Sequence, residues 1–425
     1  MTTLETNNPS LVLSGGGMKA AAFHIGVALA LQTKGFSIGD ATDAKTNPMA
    51  FKRYVGSSAG SVIATFFAAG YSVEDIIFAF TQGNHNLDTL DVKNLVPSKK
   101  LPPLRYKDVF SLNIAASNPT KWLPNFFSGS ILGSGGLESL LKRAFTVNGF
   151  FSTKSLGDYF RKAVLEADFT DFDSLPIDLF VVATYLNQPK KAVFSRYGKE
   201  DSHVFASKKD VDYIDNVDVA EAITASAALP PLFTPVKIGK DTFFDGEVRD
   251  SLSSHIALEQ GSDLVVVSYS MQPYKFNKEF GSLDNYGLPV IANQALYQLI
   301  QQKIISHIDN REQLKSLFDR LETEFKAALP AKKAAKLVEE LEAEFLPSRQ
   351  ANVLYIHPSA SDHEMFFADH LSLKPKVLNQ IVTVGFKSAM KTLRDYEFKG
   401  KSETATTSTK AKAAAKKSKV KKAKA

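Results

Sequence analysis

The regular alternation of short apolar segments with longer helix-like ones predicts a layered α/β fold. The sharpest marker of that class is the strand-like run Arg53-Tyr54-Val55. It leads through Gly56-Ser57-Ser58-Ala59-Gly60 directly into the helix-like run Ser61-Val62-Ile63-Ala64-Thr65-Phe66-Phe67. A second marker is the 44% apolar content of the 425 residues, ample for a core of one large domain or two small ones. Strand candidates are Leu11–Leu13, Arg53–Val55, Ile177–Leu186, Lys191–Ser195, Asp263–Ser270 and Asn352–His357. Helices are expected near 18–33, 59–69, 73–80, 136–145, 155–166, 218–228, 289–309, 311–328, 331–345 and 375–395. There is no internal repeat.

The first element is the strand Leu11-Val12-Leu13, which runs through Ser14 into Gly15-Gly16-Gly17 and then into an Ala-rich helix beginning Met18-Lys19-Ala20. Glycines reach backbone conformations closed to other residues. A glycine run at a helix N-terminus therefore presents N–H groups as a concave array suited to an anion. That anion is either a phosphate or a tetrahedral oxyanion. The phosphate readings fit poorly. A Walker A loop ends Gly-Lys-Ser/Thr, whereas this one ends Met-Lys-Ala. Gly15-x-Gly17-x-x-Ala20 meets the dinucleotide spacing, but the acids at the ribose distance, Asp40 and Asp43, sit in a polar loop and not at a strand end. No cofactor is expected. His24 lies inside this helix and reads as a satisfied core or helix-face residue.

The second element, Gly56-Ser57-Ser58-Ala59-Gly60, has the strand–turn–helix context of a Gly-x-Ser-x-Gly elbow. Such a turn is tight, so the neighbours two residues either side of the serine must be small. It exposes the Ser58 hydroxyl at a helix N-terminus, where developing negative charge is favoured. The third element is Phe243-Phe244-Asp245-Gly246-Glu247, in which the aromatics suggest a strand and Asp-Gly a turn at its end.

A serine nucleophile needs a base within hydrogen-bond reach. Of the eight histidines, His255, ten residues past Asp245, is the triad candidate. The alternative is a Ser–Asp dyad in which Asp245 takes the proton directly. A carboxylate with its ordinary pKa of about 4 is a poor base for a hydroxyl. It needs a desolvated setting to gain basicity. His363 and His370 lie near Asp362, Glu364 and Asp369, but without zinc-like spacing, so no metal site is expected.

Together these segments resemble the patatin-like phospholipase family. Gly15-Gly16-Gly17-Met18-Lys19 is similar to its oxyanion-hole block and Gly56-Ser57-Ser58-Ala59-Gly60 to its nucleophile elbow. Ala225-Ser226-Ala227-Ala228-Leu229-Pro230-Pro231-Leu232-Phe233-Thr234-Pro235-Val236 resembles the block upstream of its aspartate, and Phe244-Asp245-Gly246 the aspartate block itself. The resemblance implies a three-layer αβα fold around a mostly parallel sheet. It also implies a Ser58–Asp245 dyad without histidine and hydrolysis of lipid acyl esters of the phospholipase A or lysophospholipase type. The oxyanion hole would be drawn from Gly15, Gly16, Gly17, Met18 and Lys19, with Gly56, Gly60 and Gly246 shaping the turns. Lys19 would hold the loop or attract a phosphate head group. The sequence departs from the pattern at Ala20, where many members carry Gly. It departs again at Glu247, where Gly or Ala usually follows, and at Ser251 and Ser253, which replace Asn and Pro. A charged Glu247 facing the site would raise the Asp245 pKa. The competing readings are an esterase, thioesterase or acyltransferase acting on other esters, and an inactive protein that binds lipid surfaces.

Residues 96–136 concentrate proline and glycine around Trp122-Leu123-Pro124-Asn125-Phe126-Phe127, which contains the only tryptophan. Trp and Phe suit a lipid–water boundary, so this stretch is the candidate lid or interfacial loop. Leu296, Leu299, Ile300, Ile304 and Ile308 read as core packing of a helix, and 331–345 as a solvated helix. The chain divides into a unit over 1–398 and a tail. Residues 401–425 hold nine lysines against Glu403 alone, a charge of +8 that leaves −2 for residues 1–400. Such a composition buries no core and is expected to be disordered. Anionic membranes attract lysines at about 1 kcal/mol each. Without interleaved aromatics the tail does not suggest nucleic acid. Zero cysteines exclude disulfides and thiolate chemistry and fit a reducing compartment. No signal peptide is read in the polar residues 1–10, and no run of about 20 apolar residues suggests a membrane span. A cytoplasmic or peripheral membrane location is expected.

Overall fold

The computed structural model describes residues 1–83, 87, 96–99, 101–113, 148–164, 170–198 and 210–401. Its elements run β1 (Thr2–Thr6), β2 (Pro9–Leu13), α1 (Gly17–Thr33), α2 (Asp43–Thr46), β3 (Arg53–Ser57), α3 (Ala59–Ala68), α4 (Val73–Thr81), α5 (Tyr106–Val109), β4 (Ser111–Leu112) and β5 (Phe151–Ser152). They continue α6 (Lys154–Tyr159), β6 (Asp178–Tyr185), β7 (Lys191–Phe194), β8 (Val211–Ile214), α7 (Val219–Ser226), β9 (Val236–Ile238), β10 (Asp241–Asp245), α8 (Ser254–Glu259) and β11 (Leu264–Ser268). The last are α9 (Leu288–Ala328), α10 (Ala331–Phe345), β12 (Asn352–Ile356), α11 (His363–Phe367), α12 (Pro375–Leu393) and β13 (Tyr396–Gly400).

The main sheet has nine strands in the order β12-β11-β2-β3-β6-β10-β9, with β7 pairing β6 on its other flank and β8 beyond it. The five strands from β12 to β6 are all parallel, while β7, β10 and β9 join by antiparallel pairs. Period-two alternation sends successive side chains to opposite faces. Leu11 and Leu13 of β2, Tyr54 of β3, Val181 of β6 and Val266 of β11 enter one core. Their neighbours Val12, Val55, Val182 and Val267 enter the other. Helices α1, α3, α4 and α12 cover the first face. Helix α8 and part of α9 cover the second, giving the mixed α/β, three-layer arrangement.

Helices α1 and α12 cross with their backbones almost touching. A Cβ on Gly385 would stand 2.2 Å from the Phe23 carbonyl oxygen, and one on Gly26 would stand 2.0 Å from that of Val382. Because α1 grows directly out of the glycine loop, this crossing also fixes where that loop ends.

Beyond short elements such as β8, β9 and α8 that the sequence does not announce, three differences from the sequence expectations stand out. Thr2–Thr6, read as a polar lead-in, is a strand paired in parallel with β13, which runs to Gly400. Only its middle and end turn inward, so the alternation is too polar to announce a strand. The helices expected at 289–309 and 311–328 are one continuous 41-residue helix, α9, because no glycine or proline follows Pro289 within it. Of its apolar residues, Ile300 and Ile304 are buried as expected, but Leu296 and Leu299 are 46% and 60% exposed. The expected helix at 136–145 and the loop around Trp122 lie outside the described residues. No helix among the described residues is long and apolar enough to cross a membrane.

Gly385→Ala is expected to destabilise the protein by about 1–3 kcal/mol through forced separation of α1 and α12. A urea melt that shows no loss of stability would contradict the backbone contact.

Candidate active site

Ser58 sits between the end of β3 and the start of α3 with φ 50° and ψ −126°, a conformation that L side chains rarely adopt. The elbow around it has no spare room. A Cβ on Gly56 would lie 2.5 Å from the Ser61 Cα, and one on Gly60 2.1 Å from the Leu13 carbonyl oxygen. Both glycines are thus required by close approach, as the motif predicts. The strained turn is pinned on both sides. The Ser58 N–H donates to Ser226 Oγ at 2.9 Å, and the Ser226 hydroxyl donates to the Val182 carbonyl at 2.6 Å. The Ser61 hydroxyl and amide both donate to the Ser58 carbonyl. Ser226 belongs to the quoted Ala-Ser-Ala-Ala block, but nothing in its spacing announces this contact.

Strand β6 brings Asp245 to the serine. Along one flank of β6, Ser57 of β3 pairs with Val182 and Asp245 of β10 pairs with Ala183. β3 runs parallel to β6 and β10 antiparallel, so the two strands meet tip to tip. Gly246 makes the turn possible, because a Cβ there would stand 2.3 Å from the Val182 carbonyl oxygen. Asp245 is fully buried. Its Oδ1 accepts the Glu247 N–H at 2.9 Å, whereas Oδ2 has no hydrogen-bond partner among the described residues. Burial pushes this carboxyl up to about 7, and the nearby Ser58 hydroxyl pulls the other way.

Glu247 faces the same site, but not with the expected effect. Burial, not a Glu247 charge, raises Asp245. The repulsion between the two carboxyls weighs on Glu247, which burial already pushes well above the usual carboxylate range. Burial and the neighbouring carboxyl thus both favour the neutral form of Glu247. Its Oε1 accepts the Gly15 N–H at 2.6 Å and the Ser57 hydroxyl.

The glycine loop is narrower as an anion site than the five residues Gly15, Gly16, Gly17, Met18 and Lys19 suggested. The Gly15 amide is taken by Glu247. Those of Met18 and Lys19 are directed at the His370 carbonyl, at 2.7 and 3.4 Å. Gly16 and Gly17, with φ 134° and 70°, keep amides without a hydrogen-bond partner among the described residues. The Lys19 side chain points into the protein and is fully buried. Its Nζ donates to Tyr297 Oη at 2.8 Å and to the Met365 carbonyl at 3.0 Å, and burial lowers its pKa to about 7. Of the two roles considered for Lys19, the contacts are those of a loop brace, not of a head-group ligand.

An apolar pocket with a cavity volume of about 60 Å³ opens beside Ser58, lined by Met18, Val62, Leu156, Leu229, Phe233 and Leu371 among others. Leu104, Val109 and Phe110, from the described part of the candidate lid stretch, also line it.

The remaining candidates lie elsewhere. His255 joins Lys191 and Asp250, with its Nε2 2.9 Å from Lys191 Nζ, so among the described residues the triad reading finds no histidine beside Ser58. His24 is buried and held near pKa 4 by burial, with Nδ1 against Ser268 Oγ and Nε2 against the Ser14 carbonyl. Asp40 accepts the amides of Thr42 and Asp43 in a loop. Ser253 donates to Asp250 at 3.1 Å, and Ser251 is buried. No group of three or more His, Cys, Asp or Glu able to hold a metal occurs among the described residues.

A family model described as patatin-like phospholipase matches residues 11–258, more than half of the chain. Among solved structures, the chain is similar to VipD from Legionella pneumophila at 15% identity and a TM-score of 0.36, covering 91% of this chain and 67% of that one. No curated protein matches the sequence. With the glycine loop, the serine elbow and the aspartate turn all inside the matched span, the chain belongs to the patatin-like phospholipase family.

Proposed function

We propose that this protein is a serine lipid acyl hydrolase of the phospholipase A or lysophospholipase type, working through an acyl-enzyme on Ser58 with Asp245 as its base. Family membership supports lipid acyl hydrolysis in general. The observation that carries the finer reading is the desolvated Asp245 carboxyl, with one oxygen unpartnered, beside a strained serine at the mouth of an apolar pocket. A base is most effective when its pKa lies near the working pH. Moving a carboxyl from about 4 to about 7 gives Asp245 roughly a thousandfold more basicity than a solvated aspartate.

In this mechanism an acyl chain enters the apolar pocket and brings its ester carbonyl over Ser58. The Ser58 hydroxyl attacks the carbonyl carbon while its proton passes to Asp245. The developing oxyanion is met by the Gly16 and Gly17 amides and the N-terminus of α3. Collapse expels the alcohol, which takes the proton back from Asp245. Water, deprotonated by the same carboxylate, then attacks the acyl-enzyme; the Ser58 oxygen departs, takes that proton back from Asp245 and leaves the fatty acid free. The hydrolase unit is assigned to residues 1–398. The lysine-rich residues 401–425 and the loop around Trp122 are assigned to peripheral contact with anionic lipid surfaces.

Fatty-acid release from mixed phospholipid vesicles tests the chemistry. Ser58→Ala should lower kcat by at least about a thousandfold, and Asp245→Asn by at least about a hundredfold. Either variant retaining wild-type turnover would exclude its residue from the proposed dyad.

The base must be ionised to act. Activity should therefore rise as Asp245 loses its proton, with kcat/KM climbing through an apparent pKa of about 7 and levelling above it. An ascending limb centred near 4 would mean that the carboxyl is solvated in the working enzyme.

Removing residues 402–425 should weaken binding to anionic vesicles at low salt while leaving hydrolysis of a short soluble ester unchanged. Equal vesicle binding by the full and shortened chains would remove the tail from the membrane contact.

A further inference from the structure

The proposed dyad does not use Glu247, yet this residue touches every segment that carries the chemistry. Its Oε1 accepts the Gly15 amide of the glycine loop at 2.6 Å and the Ser57 hydroxyl of the serine elbow. Its own backbone N–H donates to Asp245 Oδ1 at 2.9 Å. The side chain is 6% exposed and fills the gap between loop and elbow closely. A Cβ on Gly15 would stand 2.4 Å from Glu247 Cγ and 2.7 Å from Ser58 Cβ. By consuming the Gly15 amide, the carboxyl also leaves Gly16 and Gly17 as the loop's unspent donors.

We infer that Glu247 is a positioning residue of this site, its Oε1 clasping the Gly15 amide and the Ser57 hydroxyl so that the glycine loop is held at a fixed distance from Ser58. The inference rests on the acyl-hydrolase reading and identifies what joins its two halves. The clasp needs an acceptor of the right length, not a charge. An ionised Glu247 would put a second negative charge beside the base in a dry site, and burial and Asp245 both oppose that. A carboxamide places the same acceptor at the same reach, whereas alanine leaves both donors without a partner and opens the gap.

The test compares the full-length wild type, Glu247→Gln, Glu247→Ala and Ser57→Ala. It reads kcat and KM separately, together with hydrogen exchange of the backbone over residues 11–20. Glu247→Gln should keep kcat within about threefold of wild type and keep the loop protected. Glu247→Ala should lower kcat by about a hundredfold, the cost of misplacing reacting groups by about 1 Å, with KM little changed and faster exchange around Gly15. Ser57→Ala, which removes one of the two donors, should fall between them. A Glu247→Gln variant with the large loss expected of alanine would overturn the inference, because a charge or a proton transfer would then be required. Glu247→Ala with wild-type kcat would overturn it as well. If Glu247→Ala does not fold, the Gln variant decides by itself. If even the wild type releases no fatty acid, the hydrolase reading fails while the exchange data still judge the clasp. Unchanged protection around Gly15 in Glu247→Ala would reject it.

Discussion

The hydrogen-bond ladder of strand β6 holds two other strands end to end along a single flank, and the site hangs on that arrangement. Val182 pairs with Ser57 and the next residue, Ala183, pairs with Asp245. Neighbouring positions on one extended backbone thus receive the serine elbow from one direction and the aspartate turn from the other. The side chains add to this ladder without replacing it. Ser226 bridges the Ser58 amide to the Val182 carbonyl, and the Thr184 hydroxyl reaches the Asp245 carbonyl at 2.9 Å. Because β-pairing fixes register, the separation of the two groups is set by backbone geometry and does not depend on flexible side chains.

Dryness does the electrostatic work. Asp245, Glu247 and Ser58 are all buried, and among the described residues no lysine or arginine is ion-paired with either carboxyl. Two carboxyls so placed do not both ionise near neutrality. Burial pushes Asp245 up to about 7 and Glu247 well above the usual carboxylate range, and the repulsion from its neighbour weighs on Glu247. Asp250, five residues beyond Asp245, shows the opposite outcome. The Lys191 ammonium and His255 beside it hold its carboxyl far below the usual range.

The glycine loop is braced from a part of the chain beyond residues 11–258. The His370 carbonyl accepts the Met18 and Lys19 amides. Tyr297 of α9 receives Lys19 Nζ, and Leu371 lines the pocket. A Cβ on Gly17 would stand 2.5 Å from that same His370 oxygen, so the third glycine is needed for the C-terminal segment to approach at all. The later helices therefore belong to the same structural unit as the site.

Much of this was legible in the sequence because it is local. Glycine's freedom and the size limit at a tight turn are properties of adjacent residues, so the loop at Gly15–Gly17, the elbow at Gly56–Gly60 and the Asp245-Gly246 turn could be read directly. The strands of the parallel core were equally legible, being short apolar runs. β1 and β13 were not, since their alternation is mostly polar and only their mutual pairing makes them strands. Nor could spacing reveal that Leu296 and Leu299 stay exposed while Ile300 and Ile304 pack inward. Apolar periodicity gives a helix a face but not a neighbour. The sequence by itself determined which chemical groups were on offer: a serine at a strained turn, an aspartate at a strand end, and a row of glycine amides. Only the tertiary structure decided that His255 is spent on Lys191 and Asp250, that Lys19 turns inward, and that Glu247 reaches Gly15 across 232 residues of chain. Burial and long-range pairing set those outcomes, and both depend on which distant segments the fold brings into contact.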